Sequence, residues 1–363
     1  MGRLHFIDSL RGVAALAVVA YHLIYVASPS LVRESGPLFH PAVFGATGVY
    51  FFFVISGFSL EMTMGRHESA SRPILSYALS RVFRILPLFY VLIVFWILYS
   101  KSQGGYVSLK NVILNLSCLF NVVPNKQEGI VAASWTIGVE TLFYVAFPVL
   151  HRLPSSALVG VGVVTAALFL VLQNQLAGLG VLYEHYTVLG WVSFFIVGVL
   201  AYRALVRLQG GATGERLAHL PLVLGLALLL GSMVIFGDGR NAWLRTPIAL
   251  GYALLLLGAG LSRPKLLELR VLRFYGRISY SVYLLHVPVL IALRPVFRKL
   301  TGALPDTVSY LACYVVALAV VTGLAWMTFS AIEAPAEKLG RKLVKRLTGR
   351  PAPARADGAM AEA

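Results

Sequence analysis

Apolar runs of close to twenty residues recur from one end of this 363-residue chain to the other, and that recurrence decides its fold class. A helix crossing the roughly 30 Å hydrocarbon core of a bilayer needs about 20 predominantly apolar residues. Ten segments meet that description: 10–28, 42–63, 82–100, 134–152, 156–173, 187–206, 219–236, 246–262, 278–296 and 307–331. Between them no hydrophilic stretch is long enough to fold by itself. Only 13% of the residues are charged, against about 25% in an ordinary soluble domain. The expectation is an all-α, polytopic integral membrane helix bundle of about ten transmembrane helices. A weaker run at 108–123 is polar and ends near a proline, so it reads as interfacial or re-entrant.

The basic residues orient the bundle. With the N-terminus in the cytoplasm, 22 of the 31 lysines and arginines fall in inside segments, as the positive-inside rule asks. Ten spans then leave both termini cytoplasmic. The net charge of +16 is explained by this distribution and by anionic lipid head groups, so no nucleic acid partner is expected. The transmembrane domain is expected over 1–337. The remainder, 338–363, reads as a cytoplasmic tail that begins basic and amphipathic and becomes Pro/Ala-rich and disordered. Residues 10–28 also resemble a signal peptide, but no clear cleavage site follows, and an uncleaved first helix is expected. Cys118 and Cys313 are far apart and flanked by apolar sequence, which supports neither a disulfide framework nor a metal site. No internal repeat of the common transporter kind is visible.

Ionisable residues inside spans are costly and usually face a cavity or one another. His22 lies eleven residues beyond Arg11, about 16 Å along a helix. His286 lies nine residues beyond Arg277, about 13–14 Å along another outward-running helix. Glu140 enters from the outer side, about 9 Å from the start of its span, hence about 20 Å from the cytoplasmic face. Three titratable groups on three spans are thus expected near one depth. A histidine beside a carboxylate is a general-base arrangement; helix–helix hydrogen bonding and metal binding are the competing readings. The spacing matches no metal-ligand motif, and no metal is expected. Arg81 and Arg84 share a helix face at the cytoplasmic end of the third span. They read either as positive-inside anchors or as a paired guanidinium site for phosphate, to which Arg11 adds. Ser56–Gly57 lies mid-span, where a small residue lets another backbone approach.

Several of these segments together resemble a known family. FIDSLRGVAALAVVAYH (6–22) is similar to the opening signature of the membrane-bound acyltransferase family 3, the bacterial O-acyltransferases of surface polysaccharides, with Arg11 and His22 in register. FFFVISGFSL (51–60), SRVFRILPLFY (80–90), SWTIGVETLFYVAFP (134–148), ISYSVYLLHVPV (278–289) and FSAIEAPAEKLGRK (329–342) resemble its later motifs, in the expected order. The resemblance implies a ten-helix acyltransferase domain in the bacterial cytoplasmic membrane. It implies acyl-CoA, acetyl-CoA by analogy, as a cytoplasmic co-substrate, with no tightly bound cofactor. The implied acceptor is a hydroxyl of a carbohydrate, such as an exopolysaccharide or a lipid-linked glycan unit. His22 is implied as the catalytic residue, Arg11, Arg81 and Arg84 as coenzyme-binding residues, and Glu140 as important. Glu140 is expected to orient His22, and His286 to polarise the thioester carbonyl or to bond the acceptor. Some members append an extracytoplasmic hydrolase-like domain, which this sequence is expected to lack. A transporter or flippase of an acyl donor or lipid-linked sugar, with the histidines as a proton relay, is the alternative.

Overall fold

A computed structural model describes residues 5–27, 38–179, 185–209, 218–236 and 242–349, and the described residues are helical with no strand. The chain is a multi-pass bundle, because a bilayer leaves backbone polar groups no partners except those within a helix. Helix α1 (His5–His22) runs directly into a π-helical turn, Leu23–Ala27. After α2 (Phe39–Phe44) come α3 (Gly48–Glu68), α4 (Pro73–Ser102), α5 (Leu109–Leu116), α6 (Trp135–Leu150) and α7 (Ser155–Gly178). The second half comprises α8 (Val192–Leu208), α9 (Leu220–Phe236), α10 (Arg245–Ser262), α11 (Arg270–Ala292), α12 (Arg294–Ala303), α13 (Asp306–Thr328) and α14 (Ala334–Thr348).

Each of the ten expected segments falls on one of these helices or on the α11–α12 pair. By length and composition seven stretches cross a bilayer on their own, and the pair α11–α12, bent by 65°, makes an eighth. The other two, α6 with 16 residues and α9 with 17, reach only about 25 Å and stop short of a core about 30 Å thick. The reason is visible for α6. The chain ahead of it packs against the protein through polar side chains, and Asn115, Asn121, Gln127 and Ser134 are all buried. Asn115 Oδ1 accepts from the Ile130 amide at 2.8 Å, and Gln127 Nε2 donates to the Val123 carbonyl at 2.7 Å. Irregular backbone at membrane depth survives only where protein supplies such partners. The polar run at 108–123 accordingly forms the eight-residue α5, N-capped by Ser108, and a returning loop.

Two close helix contacts fix the interior of the bundle. Helix α3 is buried along most of its length, and a Cβ on Gly57 would collide with the Phe195 carbonyl of α8, so the close backbone approach expected there occurs. Helices α1 and α11 run parallel and pack most extensively of all. At their crossing a Cβ on Gly12 would lie 2.6 Å from the Leu272 carbonyl oxygen, and one on Gly276 would lie 2.8 Å from Asp8 Cα. Only glycine allows either approach.

The C-terminal segment differs from the expected tail. Residues 334–348 form one continuous helix, and 338, the expected domain boundary, falls inside it. Helix α14 docks on α4, with Gly340 against the Phe83 ring and both the Ser71 amide and its hydroxyl bonded to the Thr348 carbonyl. An amphipathic sequence buries its apolar stripe wherever a neighbour offers one, and α4 does. The expected disordered portion, 350–363, lies outside the described residues.

Candidate functional site

Helices α1, α3, α4, α6 and α11 surround a cavity of about 70 Å³. One end is polar. Arg11 reaches it from α1, Arg81 and Arg84 from successive turns of α4, and Glu140 and Tyr144 from successive turns of α6. The spacings of three and four residues are what put each pair on one helix face. Arg11 donates to Ser59 Oγ at 3.4 Å, and Arg81 Nε to Ser80 Oγ at 3.3 Å. Tyr144 is held at both ends: its hydroxyl meets Ser56 Oγ at 3.1 Å, and its carbonyl accepts from the Tyr77 hydroxyl at 3.1 Å. The groups acting most strongly on Glu140 are the Tyr144 hydroxyl and the charges of Arg84, Arg11 and Arg81. Arg84 also faces Glu337 and Glu333 at the foot of α14. Among the described residues none of the three arginines forms an ion pair with a carboxylate. This end therefore offers three guanidinium groups to an anion, with Glu140 as the carboxylate among them.

The other end is apolar, lined by Val49, Phe52, Phe53, Ile137 and the ring of Tyr283. One helical turn beyond Tyr283 sits His286, fully buried, and its imidazole meets that of His22 edge to face at 4.6 Å between centroids. Each histidine lies ten residues past its crossing glycine, which puts both at one level about 15 Å further along the parallel helices. His22 Nδ1 lies 3.0 Å from the Val18 carbonyl oxygen, and His286 Nδ1 lies 2.5 Å from that of Tyr283. A carbonyl oxygen can only accept, so each Nδ1 carries the proton. In the neutral ring each Nε2 is then a bare lone pair. His286 Nε2 is buried with no hydrogen-bond partner among the described residues.

The six residues singled out from sequence thus fall in two groups. Arg11, Arg81, Arg84 and Glu140 share the polar end, while His22 and His286 form a separate pair. The expected partnership of Glu140 with His22 is replaced. Glu140 belongs to the arginine end, and the Val18 carbonyl fixes the His22 tautomer instead. The same logic narrows His286: with Nδ1–H committed to Tyr283, its neutral ring can accept a hydrogen bond but cannot polarise a carbonyl. Tyr144, Ser56, Thr136 and Tyr283 carry no distinguishing signal of their own. Tyr144 lies four residues from Glu140, however, and Tyr283 three before His286, and those spacings place them on the same faces. No group of three or more potential metal ligands occurs among the described residues.

The family model described as "Acyltransferase domain", that of acyltransferase family 3, matches residues 4–327. No curated protein and no solved structure matches the chain.

Proposed function

The chain belongs to acyltransferase family 3, and from that premise we propose that it moves an acyl group, acetyl first of all, from acyl-CoA to a carbohydrate hydroxyl. The enzyme would work in the bacterial cytoplasmic membrane on a surface glycan or a lipid-linked glycan unit. What carries the reading is the cavity's polarity: three arginines at one end, and an apolar end that stops one helical turn from two imidazoles with bare Nε2 atoms. Coenzyme A is polyanionic at its nucleotide end and neutral at its thioester, which is the same order of chemistry.

In this mechanism Arg11, Arg81 and Arg84 hold donor phosphates. The His22 Nε2 takes the proton from the acceptor hydroxyl, and the oxygen attacks the thioester carbonyl. The C–S bond breaks, and the imidazolium returns its proton to the departing thiolate. His286 Nε2 accepts a hydrogen bond from the acceptor sugar and helps align it. Glu140 offsets part of the arginine charge and holds Tyr144.

The test uses membranes containing the full chain and [14C]acetyl-CoA, with ester-linked label measured in the glycan fraction. The wild type should transfer label, and His22→Ala should insert normally and transfer none. Near-normal acylation by His22→Ala removes that residue from the mechanism. Movement of label across the membrane without ester formation would favour the transporter alternative.

A further inference from the structure

A single layer of aromatic side chains stands between the cavity and the histidine pair. Phe52 and Tyr283 both line the apolar end, their rings meeting edge to face at 5.8 Å. The same Tyr283 ring lies 5.7 Å from the His286 imidazole. Tyr283 is only 7% exposed, and its hydroxyl is tied down twice: it donates to the Ala133 carbonyl at 2.9 Å and accepts from Thr136 Oγ1 at 3.2 Å. Ala133 lies in the turn just before α6 and Thr136 in its first turn, and Thr136 lines the cavity itself. A buried ring held at one edge by two hydrogen bonds and flanked by a second ring is a fixed barrier, not loose filling.

We propose that Tyr283, backed by Phe52, is a gate that selects the acyl group by bulk, passing unbranched groups of two or three carbons to the histidines and turning larger ones away. The proposal rests on the acyltransferase reading above. For transfer, the thioester carbonyl must come within about 3 Å of a hydroxyl that is itself hydrogen-bonded to His22. A donor whose phosphates sit at the arginine end therefore sends its acyl tip past the Tyr283 ring. The whole cavity, arginine end included, is about 70 Å³, less than half of the roughly 150 Å³ cavity that admits a benzene molecule, and the space before the ring is smaller still. A short, thin acyl group fits that space, whereas a branched or aromatic one meets the ring.

The experiment compares acetyl-, isobutyryl- and benzoyl-CoA as donors, following release of free coenzyme A thiol by membranes that contain the full chain. The wild type should prefer acetyl-CoA strongly. Tyr283→Ala should cut the acetyl-to-benzoyl preference at least tenfold, and Tyr283→Phe, which keeps the ring, should change it less than threefold. An unchanged preference in an active Tyr283→Ala enzyme overturns the gate and leaves the acyltransferase reading intact. Should Tyr283→Ala turn over no donor, the decisive measurement is access to position 22. In a His22→Cys background, an impermeant methanethiosulfonate reagent applied from the cytoplasmic side should react at least tenfold faster once Tyr283→Ala is added. Equal rates overturn the gate. This labelling needs no turnover, so it still reports on the gate if the wild type releases no thiol and the acyltransferase reading itself fails.

Discussion

The Gly276 crossing gives the most direct way to move the two histidines without touching either. Replacing Gly276 by alanine adds a Cβ that would lie 2.8 Å from Asp8 Cα and closer still to the Asp8 carbonyl, where ordinary contact begins at 3.4 Å. Both obstacles are backbone of α1, so no side chain can swing away. Clearing the Cα alone requires about 0.6 Å of separation, and the carbonyl requires more, so the helices must part by on the order of 1 Å. Helices are rigid over the ten residues to His286, and the displacement is carried to the imidazole pair. A misplacement of about 1 Å at reacting groups can cost about 100-fold in rate. Gly276→Ala is therefore expected to lower transfer of labelled acyl groups by ten- to a hundredfold, while the protein still inserts and elutes as a single species in detergent. Gly323 in α13 is the control, because a Cβ there meets nothing within 4 Å. Gly323→Ala should keep full activity and gain up to about 1 kcal/mol from helix propensity. Wild-type activity in Gly276→Ala would refute the claim that this crossing sets the histidine geometry.

Other positions have distinct expected outcomes. Arg81→Gln and Arg84→Gln each remove a charged donor worth about 1.5–3 kcal/mol, so KM for acetyl-CoA should rise ten- to a hundredfold with kcat nearly unchanged. Arg84→Lys should not restore binding if the planar fork is what the phosphate uses; full rescue by lysine would sink that point. Tyr144→Phe strips the hydroxyl from Ser56 and Glu140, a loss of about 1–2 kcal/mol, and should reduce kcat/KM about tenfold in steady-state assays. Just past the end of α6, His151 Nδ1 bonds Glu61 Oε2 at 2.7 Å, and Arg203 Nε bonds the other oxygen at 2.7 Å. The Glu61 hydrogen bond raises the His151 pKa above its ordinary 6.5. A raised folded-state pKa gives stability that is complete below about pH 6.5 and is lost as pH climbs through the folded value. Melting curves in detergent should therefore fall between pH 6 and 9 for the wild type relative to His151→Gln, and a rise would contradict the assignment.

Much of the architecture was legible because a bilayer enforces a simple rule, about twenty apolar residues per crossing. The rule placed a helix at every expected segment. It failed on completeness at α6 and α9, which are too short to cross the core alone. Depth along one span also does not say which neighbours a side chain meets. Glu140 shares the cavity with Arg11, Arg81 and Arg84, on a helix preceded by a loop with buried asparagines and glutamine. Nothing in the segment's hydropathy reports such a loop, whose polar residues pair both locally, as Gln127 does with the Val123 carbonyl, and far along the chain, as Asn121 does with the Tyr186 carbonyl. Tyr283 was illegible for a related reason: an intramembrane tyrosine reads equally as packing or as lining. Only the Ala133 and Thr136 contacts distinguish the two.

The ten-residue interval from Gly12 to His22 acquires a different meaning beside its counterpart from Gly276 to His286. An arginine ahead of a histidine on one helix looks like a ruler between a donor's charged end and its reactive end. A ruler on α1 alone would fix the depth of His22 but not the partner it faces. Equal intervals on two parallel helices set both histidines at one level. Each residue turns a helix by about 100° and lifts it by about 1.5 Å. Ten residues therefore raise each histidine about 15 Å above its glycine and turn it about 80° short of three full turns, off the glycine line. At that shared level the two imidazoles meet with their centroids 4.6 Å apart. The backbone carbonyls of Val18 and Tyr283, four and three residues before their histidines, then set both tautomers alike. The paired bare Nε2 atoms follow from register and local helix geometry, with no carboxylate needed to orient either ring.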